Sequence, residues 1–171
     1  MTEEIDPTLP QVVQDFLRSG AKLQEIRLDE TGRWTHEGLD FENQRVVSLF
    51  SRSVTRTDGG TWVLEIGRFT YPIVVEDTGF FVTRVHWSER PPPLELSDQT
   101  KEVLDIDSLE YRAGGRLYCS IKDGLYRARF DRKSYHSIMD FLEEESGEVV
   151  LVLGDQRKKL GHIDSVENPS I

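Results

Sequence analysis

Trp34, His36 and Gly38 stand at alternate positions, and so, further along the chain, do Arg127 and Arg129. Alternate side chains of an extended strand share one face, so each set can act jointly. A tryptophan beside a histidine, with a glycine that permits close approach, can stack a flat ring and hydrogen-bond to its edge. Two guanidinium groups, with Lys122 nearby in sequence, can make charge-assisted, bidentate bonds to phosphate or carboxylate. Each set also has a plain structural reading. The first can be a core tryptophan, a satisfied histidine and a turn glycine; the second can be a solvated sheet face balanced by Asp123 and Asp131. The candidate ligand-binding residues are therefore Trp34, His36, Lys122, Arg127 and Arg129, and the ligand they suit is a small anion.

Charge supports that choice of ligand. The chain carries a net charge of -10, which opposes nucleic acid and anionic membrane surfaces, since binding to a polyanion draws on Lys and Arg replacing counterions. The acidity is uneven: residues 94–110 hold six acids against one lysine, whereas residues 122–133 hold five bases against two acids. A small anion can be held by the second stretch even where a long one is repelled.

Other chemistry is poorly represented. Glu76 and Asp77 are adjacent, so in a strand they point to opposite faces, and a turn in which Asp77 binds backbone amides explains them better than a metal. His36, His86, His136 and His162 show no i, i+4 pairing and no zinc-type spacing, so no metal or other cofactor is expected. Cys119, the single cysteine, lies beside Leu117 and Ile121 and reads as a buried, inert thiol. The chain has no phosphate-binding glycine loop, nucleophile elbow or dinucleotide fingerprint. A non-enzymatic protein is expected.

The elements that position these residues follow from periodicity. Leu9, Val12, Val13, Phe16 and Leu17 form a helical stripe closed by Gly20, an amphipathic N-terminal helix with an apolar side to bury. A hairpin over residues 23–35 turns at Asp29-Glu30-Thr31-Gly32, and Asp40 or Asn43 caps a second helix through Val46, Leu49 and Phe50. Strands follow over 61–66, 70–76 and 80–87. Arg90-Pro91-Pro92-Pro93 reads as a stiff spacer, which sets domains at 1–89 and 90–171. Beyond it come a helical turn near 99–104, a hairpin turning at Ala113-Gly114-Gly115, a strand over 126–130, and a helix capped by Asp131. An acidic loop over 143–147 then leads to strands over 148–153 and 158–163, with a tail from Ser165.

A repeat runs through this plan. Phe41, Val46, Leu49 and Phe50, then Gly60, an apolar run and Gly67, match Phe130, Tyr135, Ile138 and Met139, then Gly147, an apolar run and Gly154. The expected fold is α+β, with two tandem related strand-helix-strand modules and antiparallel sheets. A seam between such modules is a natural place for a ligand. At 171 residues the chain can bury roughly 70% of its unfolded surface. The start MTEEIDPTLP lacks the pattern of a secretory signal and no apolar run is long enough for a membrane span, so cytoplasmic residence without a membrane partner is the expectation.

The block GRWTHEGLDFENQRVVSLFSR, the later IVVEDTGFF and the stretch YCSIKDGLYRARFDRKSYHSIMDFL resemble the bacterial domain-of-unknown-function family 1285. The resemblance covers about half of the chain, in order. It implies a duplicated α+β fold whose C-terminal module is superficially like a pleckstrin-homology domain, and a signal-transduction role with a nucleotide-like ligand between modules. Two departures stand out: the family's Thr-Pro-Val-Glu-Lys-like step reads Ile66-Gly67-Arg68-Phe69-Thr70, and a family proline is Gly79. The alternative function is a protein-interaction adaptor that docks a protein partner through the second module or the N-terminal helix.

Overall fold

The computed structural model describes residues 4–162. The chain forms two compact units, Met1–Gly79 and Phe80–Ile171, and its architecture is mixed α+β, with strands outnumbering helices.

In the first unit, α1 (Gln11–Arg18) precedes β1 (Ile26–Leu28), β2 (Trp34–His36) and β3 (Leu39–Asp40). Then come α2 (Gln44–Ser53), β4 (Val54–Arg56), β5 (Trp62–Ile66), β6 (Phe69–Pro72) and β7 (Val74–Val75). One sheet has the order β3-β2-β1-β7, with β7 parallel to β1, and the other is the antiparallel meander β4-β5-β6. The turn between β2 and β3 needs positive φ at both central residues, 47° at Glu37 and 81° at Gly38. Asn43, rather than Asp40, caps α2: its Oδ1 accepts from the Arg45 amide at 3.0 Å.

The helix α1 departs from expectation. Leu9, just before it, is 5% exposed, but Val12 is 74% and Phe16 42% exposed, and the residue α1 buries is Gln14. Polar bonds anchor this segment. Asp6 Oδ1 accepts from the Thr8 amide (2.8 Å) and hydroxyl (2.6 Å), and Oδ2 accepts from the hydroxyls of Thr57 (2.5 Å) and Thr61 (2.6 Å). The Thr8 hydroxyl in turn accepts from the Gly59 amide. These hydroxyls hold the Asp6 carboxyl well below the usual carboxylate range. A Cβ at Gly59 would sit 1.9 Å from Asp6 Oδ1, so the approach requires glycine.

The second unit runs β8 (Phe80–Val85), β9 (Pro93–Leu96), β10 (Lys101–Val103), a 3-10 turn Ile106–Ser108, β11 (Glu110–Arg112), β12 (Arg116–Ile121) and β13 (Tyr126–Phe130). After these come α3 (Arg132–Ile138), a 3-10 turn Met139–Phe141, β14 (Leu142–Glu145), β15 (Glu148–Leu153) and β16 (Gln156–His162). Six strands form a sheet of order β10-β9-β8-β13-β12-β11, with β13 parallel to β8, and β14-β15-β16 form a meander. Asp131 caps α3 by accepting from the Ser134 amide at 2.8 Å.

Four sequence expectations change here. Strand β8 pairs with β9 and β13, so the division falls after Gly79 and not at Arg90. The proline run is no spacer, because proline cannot donate to a ladder but its carbonyl can accept: the His86 amide donates to Pro93 O and the Leu104 amide to Pro92 O, both at 2.9 Å. The segment read as a helical turn near 99–104 is β10, which pairs with β9. The acidic run read as a loop is the edge strand β14, whose glutamates face solvent. The tail from Ser165 lies outside the described residues.

Candidate functional site

Alternation in β2 places Trp34 and His36 on one face, as expected, but that face is turned to packing. Trp34 is 3% exposed, its indole N–H donates to Ser51 Oγ at 3.0 Å, and Phe50 meets it edge to face at 5.5 Å. Phe41 joins Phe50 at 5.1 Å and His36 at 6.0 Å. His36 Nε2 lies 3.1 Å from Gln24 Oε1. The stacking surface expected of Trp34 is thus corrected to a core position that holds α2 against the sheet. Trp34 also borders a pocket of ≈ 370 Å³, shared with Arg33, Asp40, Phe41 and Gln44. Gly79 has a related explanation: a Cβ there would lie 2.5 Å from the Trp62 ring, so any side chain at this position, including the proline that the resemblance implies, requires that ring to shift.

In the second unit Lys122 serves as a pin. It sits in a turn with φ values of 53° at Lys122 and 56° at Asp123, and its Nζ donates to Asp98 Oδ2 (2.7 Å) and Thr100 Oγ1 (3.0 Å). Its amide donates to Glu102 Oε1 at 2.9 Å. Burial works to raise the Asp98 pKa, yet the bonds from Lys122 and Thr100 outweigh it and hold the carboxyl below its ordinary value. Part of the acidic stretch 94–110 therefore neutralises part of the basic stretch 122–133. Lys122 is spent on structure and leaves the arginines as the basic feature.

The arginines gather further company. Register pairs Tyr118 with Arg129 and Ser120 with Arg127, and on the other side Tyr118 with Glu110 and Arg116 with Arg112. Paired residues project to the same side. One face of β11, β12 and β13 thus carries four arginines, Tyr118 and a single carboxylate. The opposite face carries the core residues Leu117, Cys119, Ile121 and Ala128, and Tyr118 on this face is itself fully buried. The guanidinium carbons of Arg127 and Arg112 lie 4.7 and 5.2 Å from the Tyr118 ring centroid, within cation–π range. Glu110 bridges them: Arg112 Nε donates to Oε1 at 2.8 Å, and Arg127 NH1 lies 3.6 Å from Oε2.

Sequence reading missed Arg112, Arg116, Tyr118 and Glu110. The signal was present, since a hairpin turning at Ala113-Gly114-Gly115 sets Arg112 opposite Arg116; what was lacking was the carry of that register across to β13.

A cleft of ≈ 580 Å³ in the same unit involves none of the expected residues and is lined by both signs of charge, Arg90, Arg157 and Lys158 with Asp105 and Asp107. Among the described residues, no group of three or more His, Cys, Asp or Glu is placed to hold a metal. Cys119 is buried, and that burial pushes its thiol up to about 12. No described helix is long and apolar enough to cross a membrane.

No family model matches the sequence, and no curated protein does. Solved structures do. The chain is similar to the crystal structure of a DUF1285 family protein from Silicibacter pomeroyi DSS-3, with a TM-score of 0.60 at 20% identity over 82% of this chain and 81% of that one. The chain has a DUF1285-like fold. A DUF1285 family protein from Shewanella baltica OS155 shares it with a TM-score of 0.54 at 15% identity, over 70% of this chain and 94% of that one. The DUF1285-like resemblance carried by the Trp34-x-His36-x-Gly38 block thus extends to the fold.

Proposed function

We propose that this chain is a non-enzymatic, cytoplasmic signalling module that binds a small anionic, nucleotide-like ligand through the arginine face of β11–β13. The observation that carries the reading is the gathering of Arg112, Arg116, Arg127 and Arg129 on one face of three adjacent strands, two of them against the Tyr118 ring, where Glu110 is the carboxylate those strands supply. Guanidinium groups match phosphoryl oxygens in pairs, and an aromatic ring beneath them holds their planes. The arginines are already engaged, so an arriving anion exchanges with existing partners rather than filling a vacancy. We also read the two units as tandem related modules with a pleckstrin-homology-like second copy; the recurrence of a helix leading into a three-stranded meander, α2 to β4–β6 and α3 to β14–β16, supports it.

The test is thermal unfolding of the full chain with pyrophosphate and with nucleoside phosphates. A bound anion at 100 times its Kd stabilises by about 2.7 kcal/mol, a rise of about 5 °C or more for a chain of this size. The rise should shrink or vanish in Arg127→Gln. No rise with any of these anions contradicts the proposal.

A second reading, the protein-interaction adaptor, is favoured by α1, where Val12 and Phe16 face outward on a helix anchored by Asp6. Loss of a partner in Phe16→Asp with unchanged pyrophosphate response would support it over the first.

A further inference from the structure

The carboxylate in the arginine face has an unusual placement. Glu110 begins β11, the edge strand of the six-stranded sheet, and lies directly opposite Tyr118. Its two oxygens are divided between two guanidinium groups: Arg112 donates to Oε1 at 2.8 Å and Arg127 lies 3.6 Å from Oε2. Both guanidinium groups rest against the same ring. Two oxygens on one central atom, presented to two arginines, is also the arrangement a phosphoryl group would present. The Glu110 side chain is 47% exposed and its strand has three residues, so it can leave without disturbing the core.

We infer that Glu110 is a built-in occupant of the anion position, a resident carboxylate that an incoming phosphoryl group displaces. This rests on the anion-binding reading and adds its regulation and selectivity. Glu110 carries one negative charge and is tethered, which gives it a high effective concentration at the site. A free monoanion such as acetate competes poorly against it. A phosphoryl group with about two charges and three acceptor oxygens competes well. Binding is therefore an exchange in which Arg112 and Arg127 pass from Glu110 to the ligand, and the resident side chain sets the threshold concentration.

Calorimetric titration of pyrophosphate into the full 171-residue chain tests this, using wild type, Glu110→Gln and Glu144→Gln. Glu144 is an exposed residue of β14, so its substitution makes the same change in net charge elsewhere. Glu110→Gln should tighten pyrophosphate binding about three- to tenfold, a range set by the modest strength of half-exposed ion pairs. It should also admit acetate as a weak competitor, while Glu144→Gln matches wild type. Binding by wild type with no gain in Glu110→Gln, or an equal gain in Glu144→Gln, overturns the inference and leaves the anion site standing. Absence of binding in all three overturns both.

Discussion

Arg112 and Arg116 face each other directly across β11 and β12, and like charges in that relation cost stability unless negative charge lies close by. Glu110 supplies that charge by accepting from Arg112 Nε at 2.8 Å, while Arg116 Nε donates to the Ala113 carbonyl at 3.0 Å. The neighbours of this face illustrate how the same residue type divides between roles. Lys122 has carboxylates and a hydroxyl at hydrogen-bond range and ties the β12–β13 turn to the loop after β9. Truncation in Lys122→Ala should cost about 1.5–3 kcal/mol in chemical denaturation, the range for a hydrogen bond to a charged group. Asp98 adds a pH dependence of definite sign. Its folded pKa lies below the unfolded value of about 3.9, so the stability it contributes is present above pH ~4 and is lost as pH falls through the folded value. Stability should decline less steeply below pH 4 in Lys122→Ala than in wild type; an unchanged slope would show that Lys122 does not set the Asp98 pKa. Cys119, with its thiol pushed up to about 12, should react with a thiol reagent only upon unfolding.

At the scale of elements, α1 is held by its polar anchor and by Leu9. Leu9→Ala should destabilise by about 2–4 kcal/mol, as expected for a buried leucine, whereas Phe16→Ser should change stability by about 0.5 kcal/mol or less if its outward side is free of packing. The contrast is measured by urea unfolding of both variants. At Gly79 the Trp62 ring fills the space of a side chain, so Gly79→Ala should cost about 1–3 kcal/mol through overpacking. Helices and their caps were legible in the sequence because periodicity and local caps act within a few residues, as Asn43 and Asp131 show. The stripe on α1 misled for the same reason: Val12 and Phe16 state what the helix can bury, and an Asp6 carboxylate bound to Thr57 and Thr61 across about fifty residues decides what it does bury. Strand β10 was missed because three residues cannot display a period, and β9 because it opens on Pro93 after a proline run whose residues contribute through carbonyls alone. The alternation of Arg127 and Arg129 was readable within one strand. The company they keep depends on register across three strands, which no single stretch of sequence records.

Across the whole molecule, a chain of net charge -10 spends many of its bases on internal pairing, as with Lys122 against Asp98 and Arg157 against Glu143. The four arginines of one face are engaged as well, Arg112 and Arg127 with Glu110, but they are gathered on neighbouring strands, in the half of a DUF1285-like fold whose core residues Leu117, Cys119, Ile121 and Ala128 lie on the opposite face. A rigid sheet gives such groups fixed spacing, which is what recognition of a phosphoryl group requires and what a flexible basic loop cannot supply. The most direct measurement is a pyrophosphate titration followed by the arginine side-chain Nε–Hε resonances of the intact, isotope-labelled protein. Saturable shifts are expected at Arg112 and Arg127, with smaller ones at Arg116 and Arg129 and none at Arg18 of α1. Shifts that scale with ionic strength at every arginine alike, or no shift at Arg112 and Arg127, would contradict anion binding at this face.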